Sequence, residues 1–351
     1  MENNLPNAFA FFRLPQSKQI WMAQGDCLNQ LSALQDIPDN SFVLSPFNEG
    51  NLAYYFSFDQ LKPYQKQFIE PNQATKKNVP INSDVKSKEN YINLVGKAKV
   101  TIKESGASFK KVVLANAKTI KNNEFNPISF FEQLESAYPN AFVYCAYTPT
   151  SEWWIGASPE TFICSQNTAF TTIALAGTLP PNTTRNFTSK EIEEQHLVTL
   201  FIEQQLKDAD IPFQKTVTAP FSTGHLTHLK TSYLFGSNQN TKQIYALIAK
   251  LNPTPAVAGL PKEKAIDFIS KHENLNRSFY SGFIGLKEAN NLQLFVNLRC
   301  LKWDKEVITL YAGAGITADS NPESEWEETQ HKMNTLEKFL FIIFATGFIM
   351  L

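Results

Sequence analysis

Between residues 9 and about 65, short apolar runs alternate with polar breaks, and FAFFRL, QIWMAQG, SFVLSPF and NLAYYFSF each read as a β-strand closed by turn-forming residues. Residues 66 to 90, including NQATKKNVPINSDVKSKEN, keep no lasting period and read as a surface connection, the natural place for a soft boundary.

Beyond it the period changes. YINLVGKAKVTIKESG carries helical spacing and stops near Gly106, where a residue free to adopt positive φ is at home. KKVVLANAKTI follows as a strand. AFVYCAYTP, WWIGASPETFICSQ, TAFTTIALAGTLPP and the long stretch from SGFIGLKE to LYAGAGI supply many more strands, whereas 188–208, 240–250, 261–272 and 321–340 fit helices. Strands outnumber helices without regular βα alternation. That pattern predicts an α+β fold of large antiparallel β-sheets packed together and flanked by helices.

At 351 residues and 43% hydrophobic, the chain can bury a large core. A formal charge of -1 gives it no global attraction for nucleic acid. Cys27, Cys145, Cys164 and Cys300 lack paired metal spacing and sit in or beside apolar sequence, so they read as reduced core or near-core residues. The N-terminal residues lack the basic-then-apolar form of a secretion signal, which leaves the cytoplasm as the expected location. FLFIIFATGFIML at the C-terminal end is apolar but shorter than the roughly 20 residues a spanning helix needs, so membrane contact is not expected.

Two stretches place glutamates three apart: Glu191 and Glu194 in SKEIEEQHL, Glu325 and Glu328 in NPESEWEETQ. In a helix such pairs share a face, and carboxylates suit magnesium bridging to an anionic substrate. Acidic i,i+3 pairs are also commonplace on solvated faces, and Glu193 and Glu327 are expected there. AGAG at 312–315 fits either a tight turn or a close approach of backbone amides to an anion.

Taken in order, Lys111, Glu160 in SPE, AGT at 176–178, the two glutamate pairs, His228, NPTPAVAG at 252–259, Tyr280, Arg299 and AGAG resemble the chorismate-utilising enzyme family over roughly residues 90–338. Within it they look like the isochorismate synthases of menaquinone or siderophore synthesis, relatives of salicylate synthase and of anthranilate synthase component I. The resemblance implies a chorismate-binding catalytic region at 86–340, a strand-rich portion at 1–85 packed onto the same fold, and an apolar tail at 341–351. It implies a magnesium-dependent, reversible exchange in which water adds at C2 of chorismate and the C4 hydroxyl leaves.

By the same resemblance Lys111 is the general base toward water, and Glu160 is the acid that protonates the leaving hydroxyl. The base would need a depressed pKa and the acid a raised one. Glu194 and Glu328 match the nearer magnesium ligands, with Glu191 and Glu325 acting directly or through water. Arg299 and Tyr280 match contacts to the enolpyruvyl carboxylate, Gly313 and Gly315 a glycine-rich turn around the substrate, and Gly177 with Thr178 another active-site segment. His228 matches a histidine near the ring carboxylate, or a structural hydrogen-bonding residue. Small-molecule chorismate is the implied partner, and a monomer without an obligatory amidotransferase subunit the implied form.

Asn116, Ala174 and Gln195 stand where the family commonly has arginine, proline and histidine. Ala176 replaces the lysine that marks aminodeoxychorismate synthases. Salicylate synthase shares the same machinery and remains open as an alternative, as does a catalytically silent relative.

Overall fold

The computed structural model describes residues 8–47, 53–65, 79–80, 84–166, 169–179, 186–223, 226–236, 241–289 and 291–340. Two antiparallel sheets dominate it, as the strand-rich pattern predicts. The first runs Gly259–Leu260, Lys111–Lys121, Val307–Ile316, Cys300–Trp303, Glu152–Ser158, Phe142–Thr148, Ala8–Arg13, Trp21–Gly25 and Lys62–Pro63 from edge to edge. The second runs Phe213–Lys215, Leu226–Phe235, Ala169–Leu179, Thr161–Gln166, Asn291–Val296, Phe283–Glu288, Ser41–Ser45, Ala53–Ser57 and Asn29–Leu31.

Six helices accompany the sheets among the described residues: α1 (Asp84–Ser105), α2 (Pro127–Ala137), α3 (Ser189–Asp208), α4 (Thr241–Leu251), α5 (Lys262–His272) and α6 (Pro322–Leu340). None is long and apolar enough to cross a membrane. The apolar tail at 341–351 and most of the connection at 66–83 lie outside the described residues.

Strand Ala8–Arg13 explains why the apolar runs are continuous rather than alternating. Phe9 and Phe11 pack with Phe130, Phe131 and Leu134 of α2, whereas Ala8, Ala10 and Phe12 join residues of the second sheet. A strand covered on both faces needs apolar side chains at every position. Between the sheets, Phe142 and Phe295 stack with centroids 4.4 Å apart. α1 buries Tyr91, Val95, Ala98 and Ile102, the i, i+4, i+7, i+11 stripe of an amphipathic helix.

The structure corrects three expectations. The connection expected to reach residue 90 ends sooner, because α1 already begins at Asp84. α2 was not expected as a helix, although its start signal is present: Asn126 Oδ1 accepts from the amides of Ile128 (3.1 Å) and Ser129 (3.0 Å), and Pro127 occupies the first turn. Cys27 is exposed in the turn after Trp21–Gly25, unlike buried Cys145 and Cys300 and half-buried Cys164. Its apolar neighbours belong to a strand that ends before it.

Two chain crossings set up the site. The chain leaves the first sheet at Ser158 and enters the second at Thr161; it returns from Val296 to Cys300. The crossings are stitched together. Ser158 Oγ donates to Val296 O, Val296 N to Glu160 O (3.0 Å), and Ala157 N to Arg299 O (3.0 Å). Arg299 holds a left-handed backbone at φ +47°, which costs a non-glycine residue ~1–3 kcal/mol and is maintained by these bonds.

Candidate active site

A cavity opens beside the crossings, lined by Glu160, Thr178, Glu194, His228, Tyr280 and Arg299 together with Gly313 and Lys332. Three consecutive residues of strand Val307–Ile316, namely Tyr311, Ala312 and Gly313, line one wall of it. Lys111 lies one layer deeper. It is 0% exposed and its Nζ donates to Glu194 Oε1 at 3.0 Å. Lys110, its neighbour in sequence, is exposed.

Glu160 is buried, and burial pushes its carboxyl up to about 8 even though Lys111, Lys332 and Arg299 all pull the other way. It therefore carries a proton at neutral pH. Burial lowers the Arg299 guanidinium to about 10, leaving it charged. Arg299 Nη2 donates to His228 Nε2 at 2.9 Å, so that nitrogen is unprotonated and Nδ1 bears the hydrogen, 3.1 Å from Thr178 Oγ1. Burial and the Arg299 charge keep His228 neutral. The histidine thus aims the arginine. Tyr280 stacks on Tyr311 at 5.4 Å, and burial raises its phenol well above its ordinary value, which keeps it a hydrogen-bond donor.

The acidic helices meet at the far side of the cavity. Burial alone would raise Glu194, but Lys111, Lys332 and Lys190 outweigh it and hold the carboxyl below its ordinary value. Its side chain keeps 18% exposure, surface that faces the cavity it lines. Glu328 pairs with Lys332 at 2.7 Å, and Glu325 pairs with Lys190 at 2.6 Å. Glu191 serves α3 itself: its Oε2 accepts from the Thr188 amide (2.7 Å) and hydroxyl (2.6 Å) in a capping box. Glu193 and Glu327 are exposed, as expected.

Three features bear on a bound cation. Glu325 is 1% exposed, and the Ser320 hydroxyl acts on its carboxylate, yet its Oε2 makes no hydrogen bond. Burial and the like charge of Glu328 raise its pKa. Lys190 meanwhile feels Glu325, Glu328 and Glu194 together, which raise it against the effect of burial. No group of three metal-ligating side chains converges among the described residues, and Glu194, Glu325 and Glu328 are each paired with a lysine of their own. The orphaned buried oxygen of Glu325, with the Lys190 ammonium beside its carboxylate, is a donor chemistry that suits a divalent cation.

Glycines make room where the pocket is tightest. A Cβ on Gly315 would sit 2.6 Å from Glu194 Oε1 and 2.9 Å from Lys111 Cε, and one on Gly313 3.0 Å from the Tyr280 hydroxyl. The AGAG segment is therefore not a turn. It lies in the C-terminal half of strand Val307–Ile316, paired with Lys111–Lys121. Gly177, at φ +67°, brings its Cα against the Glu191 carbonyl. Gly315→Ala is expected to separate the Lys111–Glu194 pair and lower kcat about 10- to 100-fold, since ångström-scale misplacement of catalytic groups has effects of that size. Steady-state kinetics beside a melting curve will check it; a wild-type kcat in a folded variant would refute the tight-fit argument.

Sequence reasoning missed Lys332 and Lys190. Lys332 donates to Gly313 O (2.8 Å) and stands four residues after Glu328, a helical spacing that could have revealed it. Lys190 has the same spacing to Glu194. Of the departures, Asn116 donates to Thr329 Oγ1 at 3.0 Å, and Gln195 donates to Ala174 O (3.1 Å) and Thr231 Oγ1 (3.2 Å). Each ties a helix to the sheets and touches neither Lys111 nor Glu160. Lys111 is fully buried, and the group it contacts is a carboxylate, Glu194, rather than a second cation.

The profile of the family described as "Chorismate binding enzyme" matches residues 46–341. The chain is 29% identical over 270 residues to isochorismate synthase 2, chloroplastic, of Arabidopsis thaliana, an alignment covering 73% of this chain and 48% of that protein. It is 29% identical over 264 residues to isochorismate synthase MenF of Escherichia coli, covering 72% of this chain and 60% of that protein. The aligned part thus spans about half to three fifths of these relatives. The fold superposes on a putative 2,3-dihydroxybenzoate-specific isochorismate synthase from Bacillus anthracis with a TM-score of 0.80 at 22% identity, covering 97% of each chain. It superposes on anthranilate synthase component I of Streptococcus pneumoniae with a TM-score of 0.66 at 15% identity, covering 96% of this chain and 93% of that one.

Proposed function

This chain belongs to the chorismate binding enzyme family, and on that premise we propose that it interconverts chorismate and isochorismate with the help of magnesium. The observation that carries the reading is a proton-bearing Glu160 in a cavity whose other charged walls are Arg299, Lys332 and Glu194, with the buried Lys111 directly behind Glu194. Residues 86–340 would form the catalytic region, with 1–85 completing the sheets.

In this mechanism Lys111 accepts a proton from the water that bonds to C2. The ring double bonds shift, the C4–O bond breaks, and Glu160 gives its proton to the departing oxygen. One water is consumed and one released, and the pair ends as ammonium and carboxylate, ready for the reverse reaction. Lys111 accepts a proton only when it is neutral, so Glu194 must be engaged elsewhere than in the 3.0 Å pair. Magnesium bound by Glu194, Glu325 and Glu328 would neutralise those carboxylates and attract the ring carboxylate. Arg299, aimed by His228, would clamp the enolpyruvyl carboxylate, with Tyr280 adding a neutral donor and Lys332 a second cation. With water as nucleophile, no ammonia-supplying subunit is required.

The test is incubation of the purified protein with chorismate and magnesium, with and without chelator, followed by chromatography and mass spectrometry. The expected result is chelator-sensitive isochorismate without pyruvate. Salicylate with equimolar pyruvate would replace this reading with the salicylate synthase reaction, and an absence of conversion would refute catalysis.

A further inference from the structure

Of the three lysines paired with the acidic helices, Lys332 lines the cavity, Lys111 lies beneath it, and Lys190 stands outside it with part of its side chain in solvent. It sits in the first turn of α3, and its Nζ reaches Glu325 Oε1 in the first turn of α6 at 2.6 Å. Its field is shared by Glu328 and Glu194, so one ammonium serves carboxylates from both acidic helices. Lys111 and Lys332 are differently placed. Lys111 is fully buried beneath Glu194, and Lys332 is anchored to Gly313 O as well as to Glu328. Lys190 keeps 35% of its side chain exposed and can withdraw into solvent without dismantling the pocket.

We propose that Lys190 is a built-in counter-cation, which holds α3 to α6 in the metal-free protein and is displaced from the carboxylates when a divalent cation enters. The inference rests on the magnesium reading above. Three carboxylates brought together without a counter-charge would repel, and Glu325, with an unpartnered buried oxygen, would be the least tolerant of them. A tethered ammonium offsets that repulsion at high local concentration. It also competes: whatever the ammonium contributes to the metal-free state is subtracted from the affinity for the ion that replaces it.

The experiment is calorimetric titration of the full-length protein with magnesium chloride alone, paired with thermal melting with and without magnesium, for wild type, Lys190→Met and Lys190→Arg. Lys190→Met is expected to bind magnesium roughly tenfold more tightly, within the usual range of such couplings, to melt lower than wild type when metal-free, and to gain more from added magnesium. Lys190→Arg keeps the charge and should stay near the wild-type affinity. Lys190→Gln serves the same readouts if the methionine variant does not fold.

Equal magnesium affinity in wild type and Lys190→Met would overturn the proposal while leaving the metal site intact. Weaker binding in Lys190→Met would overturn it too, by making the lysine a support of the site rather than a competitor. If the arginine and methionine variants behave alike, charge is not the cause and the inference fails. No magnesium binding by any form, wild type included, would remove both this proposal and the metal reading on which it rests.

Discussion

Glu160→Gln is expected to reduce turnover by about 10²–10⁴-fold, the usual contribution of a positioned proton donor, while making the protein more resistant to heat. The two effects share one cause. In the folded protein the carboxyl is pushed from its ordinary 4.5 to about 8 by burial between the sheet crossings. Folding at neutral pH therefore forces a proton onto a group that would be ionised in the unfolded chain. The penalty at pH 7 is on the order of 3 kcal/mol, taking 1.4 kcal/mol for each pKa unit. Glutamine keeps much of the shape without it.

The sign can be followed with pH. Because the folded-state pKa is raised, the native protein holds more protons than the unfolded one between 4.5 and about 8, and its stability falls as pH rises through that window. The variant should show a flatter profile and a melting temperature a few degrees higher at pH 7. Activity of the wild-type protein should fall as pH rises past about 8, when the acid loses its proton. Turnover within tenfold of wild type would remove Glu160 from the proton-donating role. An unchanged melting temperature across the window would show that its carboxyl is not held neutral.

Lys111→Met gives the second large effect, a loss of turnover of about 10²–10⁴-fold with retained magnesium-dependent chorismate binding. Methionine fills the space of the lysine stem but cannot take a proton from water. It also strands Glu194, whose pair with Lys111 spans 3.0 Å. Breaking a fully buried ion pair destabilises by ~3–5 kcal/mol, but Glu194 faces the cavity and pocket water can reach it, so the expected loss is roughly 1–2 kcal/mol. Magnesium should restore most of it by giving Glu194 another partner. Titration of chorismate into the variant, alongside melting curves, separates the roles: lost binding together with lost turnover would make Lys111 a residue that builds the pocket rather than one that accepts protons.

Much of this was readable before any coordinates, for reasons that differ from residue to residue. Helices α3 to α6 announce themselves by spacing and strands such as Lys111–Lys121 by sustained apolar character, because both signals are local. Which strand joins which sheet is not local. Nothing in SPETF says that Ser158 closes one sheet and Thr161 opens the other, yet that change of sheet is what buries Glu160. The AGAG segment shows the same limit. Its glycines looked suited to a turn or an anion cradle, and their use became visible only when Glu194 and Lys111 were found in the space a methyl would need. The order of motifs along the chain pointed to glutamates and a lysine as chemical groups. That each of these carboxylates would meet a lysine of its own depends on how α3 and α6 sit against the rest of the fold, which no single stretch of sequence encodes.

The pairing of Lys111–Lys121 with Val307–Ile316 has a bearing on how the protein is made. Translation delivers residues at roughly 5–20 per second, so the strand carrying Lys111 leaves the ribosome well before its neighbour has been synthesised. Until then it offers an unpaired apolar edge of the kind that recruits other chains. Contacts so distant in sequence are slow to form. A nascent chain that stops short of residue 300 lacks the second crossing, and one that stops short of residue 316 leaves strand Lys111–Lys121 incompletely paired. Chaperone supply during synthesis, more than the stability of the finished fold, would then set the yield of active protein.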